Sequence, residues 1–168
     1  QLEVKVFNKS KLYYQKYSKG TVKSKIKIQK CSKNLRGTEI KFSPDNEIFE
    51  NVNFSPKKLY NFIKMKSVLV KGTRIDFKID KELIKDGTTN KKEFYYPHGI
   101  IDYVKENNNS KKNLISKFFY NKIKFNKSEK CEILINFNED ENSSLNSYCN
   151  TIETPDGGSH ENSLKNSI

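Results

Sequence analysis

Several runs within the first forty-two residues alternate apolar and polar side chains with a period of two, and that alternation confines those runs to strands. Leu2, Val4 and Val6 are separated by Glu3 and Lys5, a spacing that would scatter apolar groups around a helix but lines them up on one face of a strand. Asn8-Lys9-Ser10-Lys11 interrupts the pattern, Leu12-Tyr13-Tyr14-Gln15-Lys16-Tyr17 returns, and Ser18-Lys19-Gly20 interrupts again. Ile26 and Ile28 then alternate with lysine, and Thr38, Ile40 and Phe42 alternate with Glu39 and Lys41. Short alternating runs divided by Gly, Asn and Ser predict an antiparallel meander with one wet face.

After residue 50 the period lengthens. Ser55-Pro56 predicts a helix start, with serine as N-cap and proline at the first helical position. Leu59, Phe62, Ile63 and Leu69 follow at helical spacing, and Gly72 closes the helix. Thr73 to Ile79 predicts a strand with Ile75, Phe77 and Ile79 on one side. Phe94-Tyr95-Tyr96 predicts another that stops at Pro97, and Gly99 leads into a short helix through Ile100, Ile101 and Val104. From Asn107 to Asn113 there is no apolar residue, which predicts a linker. Lys122 to Phe125, Ile133 to Phe137 and Leu145 to Ile152 predict three further strands, the last after the acidic turn 138–142. The expected class is α+β, in two folded units covering 1–110 and 111–168.

The balance of 32 Lys and Arg against 20 Asp and Glu, a formal +12, suits anionic partners without choosing between nucleic acid and membrane surfaces. Lysine and asparagine are spread throughout rather than gathered, as AT-rich coding would leave them. Only 34% of residues are hydrophobic, yet eleven Phe and nine Tyr in periodic segments predict a folded core. Cys31, Cys131 and Cys149 are too few and too far apart for a disulfide framework or a zinc site, so reduced, partly buried thiols are expected. No apolar run approaches the ~18 residues of a membrane span. Met65 is the only methionine and both ends break into running patterns, so a piece of a longer protein is expected.

Two segments carry the chemistry: Arg36-Gly37-Thr38-Glu39-Ile40-Lys41-Phe42-Ser43-Pro44-Asp45, and Asn150-Thr151-Ile152-Glu153-Thr154-Pro155-Asp156-Gly157-Gly158-Ser159-His160-Glu161. Read bare, Thr38 is a β-branched strand residue that packs or bonds within a sheet. The paired glycines form a turn whose exposed N–H groups can receive an anion, with Ser159 as cap of a following helix. Neither His98 nor His160 has a metal-spaced partner, so no catalytic and no metal-binding residue is assigned.

The order of the motifs adds more. Gly-Thr-x-Ile-x-Phe-x-Pro-Asp from Gly37, then Glu47-Ile48-Phe49 and a helix, resembles the end of the GHKL-type ATPase domain of bacterial type II DNA topoisomerase B subunits. Tyr96-Pro97-His98-Gly99-Ile100 with Asp102-Tyr103-Val104 resembles that domain's closing strand and helix. The run from Asn150 to His160 resembles the Gly-Gly-Thr-His region of the adjoining transducer domain, with Ser159 in place of threonine. Lys64-Met65-Lys66-Ser67-Val68-Leu69 and Ser147-Tyr148-Cys149-Asn150 are similar to the topoisomerase IV branch rather than gyrase, which is the alternative.

The resemblance implies the later part of a GHKL-type antiparallel sheet with helices on one face (1–110), then the start of a two-layer α/β transducer (111–168). It implies ATP and Mg2+ as cofactors, with the general base, the magnesium ligand and the lid all outside this stretch. Within it, Thr38 would read the adenine edge and Ile40 would line the apolar floor. Alone, the piece is expected neither to hydrolyse ATP nor to bind it tightly. The implied partners are double-stranded DNA, the topoisomerase A subunit and a second B subunit, with no membrane and a cytoplasmic location. Asn8 stands where relatives often carry arginine near the pocket mouth, a departure that leaves coumarin-type inhibitor sensitivity open. Outside this family, a nonenzymatic nucleic-acid-binding module built on Tyr13, Tyr14 and Tyr17 among lysines, or another GHKL ATPase, stays open.

Overall fold

The structure is a computed structural model describing residues 1–108, 113–139 and 143–167. It is α+β and divides into two compact units, Gln1–Phe54 and Ser55–Ile168. The composition break at 107–113 lies inside the second unit. Asn107 and Asn108 still belong to a helix, and the 110/111 boundary falls outside the described residues, as does most of the acidic turn.

The first unit is a sheet without helices. Strands β1 (Leu2–Asn8) and β2 (Lys11–Ser18) form a hairpin, from Leu2 opposite Tyr17 to Asn8 opposite Lys11. Its two-residue turn, Lys9-Ser10, has positive φ at both positions (47° and 62°), which matches the twist of the flanking strands. Two short strands, β3 (Thr21–Val22) and β4 (Lys27–Lys30), both pair with β2. Strand β5 (Gly37–Phe42) then pairs antiparallel with β1, not with β4. The expected meander is therefore corrected to a β3-β2-β1-β5 order, with β4 also on β2. Taking β3 and β4 as one interrupted strand, this is Greek-key order, in which the last strand returns beside the first. Alternation specifies which face a residue takes, not which neighbour its strand chooses.

In the second unit, α1 (Pro56–Leu69) begins as read: the Ser55 Oγ accepts the Lys58 N–H at 3.4 Å, and Pro56 opens the helix. Strands β6 (Arg74–Lys78) and β7 (Lys91–Tyr95) form a hairpin, and α2 (Ile100–Asn108) follows. Val68, Phe77, Phe94 and Tyr96 are the buried core, edged by Leu59, Tyr60, Ile63, Ile79, Ile100 and Tyr103. Tyr60 meets Phe94 edge-to-face at 4.9 Å. Phe62, expected on the packed face, is 60% exposed. At about 100° per residue the buried or half-buried positions 56, 60, 63 and 67 share one side, and 62 points well away from it.

Beyond the linker, β8 (Phe119–Lys124) and β9 (Lys130–Ile135) form one hairpin. The single strand expected over 145–152 is instead a tight hairpin of β10 (Tyr148–Cys149) and β11 (Ile152–Glu153). Asn150 and Thr151 turn it, with φ of 48° and 69°. A short helix, α3 (Ser159–Lys165), ends the described chain. Cys31 and Cys131 are half-buried and free as expected, while Cys149 is exposed.

Candidate functional site

The register of the first unit sorts its residues onto two unlike faces. Thr38, Ile40 and Phe42 on β5 lie opposite Val6, Val4 and Leu2 on β1, which lie opposite Tyr13, Gln15 and Tyr17 on β2. The other face is polar and tied across strands. Lys16 pairs with Glu3 at 3.0 Å, Lys5 with Glu39 at 2.8 Å, and the Tyr14 hydroxyl donates to Glu3 at 3.1 Å. The Lys16 ammonium and the Tyr14 hydroxyl hold the Glu3 carboxyl below its usual range, and Glu39 holds the Lys5 ammonium above its own. Each pair has an exposed partner, Lys16 or Glu39, so the pairs mark which face is wet rather than stabilising it much.

Thr38 and Ile40 thus share the apolar face, on a strand at the sheet edge. Both are exposed, Ile40 at 62% and its neighbour Phe42 at 58%. Among the described residues no group hydrogen-bonds the Thr38 side chain, so its one donor and two acceptor directions are open. A hydroxyl with fixed χ1 beside exposed aliphatic surface suits the polar edge and flat face of a planar heterocycle. Asn8 belongs to the same face, two positions beyond Val6. The described residues contain no cluster of His, Cys, Asp and Glu able to hold a metal ion.

The other two motifs belong to the second unit. Tyr96 is 8% exposed, and its hydroxyl donates to Glu106 at 2.6 Å while Lys64 lies 3.3 Å from the same carboxylate. Burial and the bond to Glu106 push the Tyr96 hydroxyl far above the usual phenol range. Burial pushes Glu106 up, but the Tyr96 hydroxyl and Lys64 outweigh it and hold the carboxyl low. Gly99 has φ +63°, and a Cβ there would stand 2.8 Å from Lys71 Cε and 3.0 Å from the Val68 carbonyl oxygen. The Tyr96–Gly99 turn therefore lies directly against the end of α1. An open depression beside it is lined by Tyr96, His98, Asp102 and Glu106, and contains neither Thr38 nor Ile40.

In the glycine-pair motif the N-cap of α3 is Gly158, with extended φ of 167°, and no side chain caps the helix. Ser159 is the first helical residue, so its expected capping role is corrected. The serine stands one position past the cap, the place from which an Oγ accepts the N–H groups two or three residues ahead. What holds this turn is polar contact with the β10–β11 hairpin. The Ser147 Oγ donates to Glu161 Oε2 at 2.6 Å, and the Thr154 N–H donates to the Ser147 carbonyl at 2.9 Å. Sequence reading also passed over Lys66, whose Nζ donates to the Thr151 carbonyl at 2.6 Å and to its Oγ1 at 2.9 Å. The only signal for it was its place in the Lys-x-Lys-Ser helix end.

With this geometry in place, known proteins can be compared. The DNA gyrase B family profile matches residues 99–168. The B subunit of DNA topoisomerase 4 from Rickettsia felis is 38% identical over 170 residues, covering 99% of this chain and 26% of that protein. Its counterpart from Bartonella bacilliformis is 33% identical over 99% of the chain and 25% of its own length. The B subunit of DNA gyrase from Metamycoplasma hominis is 34% identical over 96% of the chain and 25% of its own length. The chain thus spans about a quarter of the length of the curated relatives it matches. Among solved structures, the 43K ATPase domain of Thermus thermophilus gyrase B aligns with a TM-score of 0.78 at 24% identity. That alignment covers 99% of this chain and 44% of the other. The gyrase B-subunit of Myxococcus xanthus aligns at 0.84 and 17% identity, over 99% of this chain and 47% of that one. The structures carry the fold, and the sequence relatives carry kinship along nearly every residue. Over nearly its whole length the chain is thus similar to one quarter of bacterial type II DNA topoisomerase B subunits, and its residues 99–168 match the DNA gyrase B family.

Proposed function

We propose that this chain is part of the ATP-driven B subunit of a type II DNA topoisomerase, of the topoisomerase IV kind, with its first unit supplying the adenine end of the nucleotide site. The observation that carries the site is the open Thr38 hydroxyl beside exposed Ile40 on the one apolar face of a sheet whose other face is ion-paired. In this reading the Thr38 hydroxyl fixes the orientation of the base by hydrogen bonding to its edge. Ile40 excludes water beneath it, so that a mispaired base would leave polar groups unsatisfied.

ATP would supply the phosphoanhydride whose hydrolysis drives the cycle. The residues on this chain bind and orient, and Mg2+ would be held by groups outside it. Residues 1–110 would close the ATPase domain and 111–168 open the transducer. Double-stranded DNA, the A subunit and a second B subunit would be the partners, in the cytoplasm. The topoisomerase IV branch is preferred because relatives carrying that name reach 38% identity over 99% of the chain, against 34% over 96% for the Metamycoplasma hominis gyrase B subunit.

Replacing Thr38 by valine in the intact protein keeps the shape and removes the hydroxyl. Nucleotide affinity measured by titration calorimetry should weaken about tenfold while the fold is retained. Unchanged affinity would sink the assignment of Thr38.

A further inference from the structure

Thr151 has φ +69°, a backbone region that β-branched residues rarely take. An observed outlier of this kind persists where its surroundings over-determine it. Here the surroundings are one side chain from a distant element: the Lys66 ammonium, 85 residues earlier on α1, donates to both the carbonyl and the hydroxyl of Thr151. Lys66 and Thr151 are both half-buried, and the same ammonium lies 5.0 Å from the centre of the Phe62 ring. The acceptors are neutral, so the contact specifies a turn geometry rather than balancing a charge. Lys71, just past the end of α1, likewise binds Glu132 and, at 3.0 Å, the Tyr120 hydroxyl on the β8–β9 hairpin.

The tethered turn leads by short steps to the glycine pair. Asn150-Thr151 joins β10 to β11. At the base of that hairpin the Ser147 Oγ lies 2.6 Å from the Thr154 hydroxyl and donates to Glu161 on α3. The Gly157 N–H donates to the Thr154 carbonyl at 2.9 Å. The Lys66 contact, the paired strands of the short β10–β11 hairpin and the hydrogen bonds at its base thus link the last turn of α1 to the Gly157–His160 segment.

We propose that Lys66 is a positioning residue that couples α1 to the glycine-pair turn, transmitting displacement of one to the other. The coupling rests on the reading given above, in which α1 lies in the nucleotide-binding domain and the hairpin in the transducer. The tether then crosses the domain boundary. Strain in a left-handed threonine that Lys66 merely offsets is the competing role, and relieving the strain separates the two.

The experiment is hydrogen exchange on the intact B subunit, read on peptides covering 147–154 and 159–165, with and without a nonhydrolysable ATP analogue. In Lys66→Met the 147–154 peptide should exchange about tenfold faster, as expected for loss of charge-assisted hydrogen bonds, and the analogue should no longer alter exchange at 159–165. Lys66→Arg should restore both. In the double variant Lys66→Met/Thr151→Gly the hairpin should regain protection, because glycine takes this φ freely, while the nucleotide response stays lost. Unchanged 147–154 exchange in Lys66→Met, or a nucleotide response recovered in the double variant, overturns the proposal. A wild-type response that Lys66→Met preserves overturns the coupling alone. A wild-type protein that shows none overturns the functional reading and the coupling with it.

Discussion

The two units differ in how completely they bury their apolar side chains. Every residue of the first unit is exposed or half-buried, although its strands are long and regularly paired. Its apolar face shows Val22, Ile28, Ile40 and Phe42 to solvent at 53–62%. The second unit, with α1 and α2 packed on β6 and β7, takes Val68 and Phe94 to 0% and 1% exposure. Sheets with one face apolar need a second layer. The comparison sets an exposed apolar sheet face beside an enclosed core built by α1, α2, β6 and β7, and Thr38 stands on the exposed face.

The largest expected effect tests that contrast by truncation. Phe94→Ala should destabilise the protein by about 3–5 kcal/mol in urea unfolding, since it empties a fully enclosed site against Tyr60 and Phe77. Phe42→Ala, on the open face, should cost under ~1 kcal/mol, because its 58% exposed ring loses little burial beyond the edge contact with Phe54 at 5.7 Å. Equal costs would mean the first unit has a core of its own, and the comparison would fail.

A second difference is electrostatic. Each ion pair on the first unit has at least one partner half or more exposed, while Lys71 and Glu132 in the second are 31% and 26% exposed, and Glu132 also accepts from Tyr120. Burial pushes Glu132 up, but the Lys71 and Tyr120 bonds outweigh it, and its folded-state pKa lies below the ordinary glutamate value of 4.5. A carboxylate depressed on folding stabilises above its unfolded pKa, and that contribution is lost as pH falls through the folded one. Glu132→Gln should therefore cost roughly 1–2 kcal/mol at pH 7. The gap from wild type should close as pH is lowered below about 4.5, whereas Glu39→Gln, in an exposed pair of the first unit, should cost little at pH 7. A gap that did not shrink at all as pH fell well below 4.5 would refute the role of the Glu132 charge.

What the sequence made legible follows from range. Alternation placed β1, β2, β5 and β6 and put Thr38 and Ile40 on one face, because side-chain direction is a property of neighbouring residues. Ser55-Pro56 located α1 for the same reason, a cap being a contact over three positions. Pairing of β5 with β1, rather than β4, depends on where the 31–36 connection crosses, and no local period encodes that. Leu145 to Ile152 passed as one strand because Asn150-Thr151 is a poor match to the Asn-Gly turn signal. The threonine is held in place by Lys66 from far away. The ATPase and DNA reading came from motif order, since Thr38 alone is an ordinary strand threonine.

The smallest effect concerns the glycine-pair turn, where a serine looks like a cap and is not one. Had Ser159 capped α3, its replacement by alanine would cost about 1 kcal/mol. With Gly158 at the N-cap and no side-chain bond there, Ser159→Ala should change the unfolding midpoint by less than ~0.5 kcal/mol equivalent. Ser147→Ala should cost more, about 1 kcal/mol, because it strands the hydrogen bonds to Glu161 and Thr154 that hold the turn against the hairpin. The ordering of the two variants is the measurement that matters. If Ser159→Ala proved the costlier, the turn would be held by its own cap rather than by its neighbours. The polar run from Lys66 would then end at the hairpin instead of reaching the glycines.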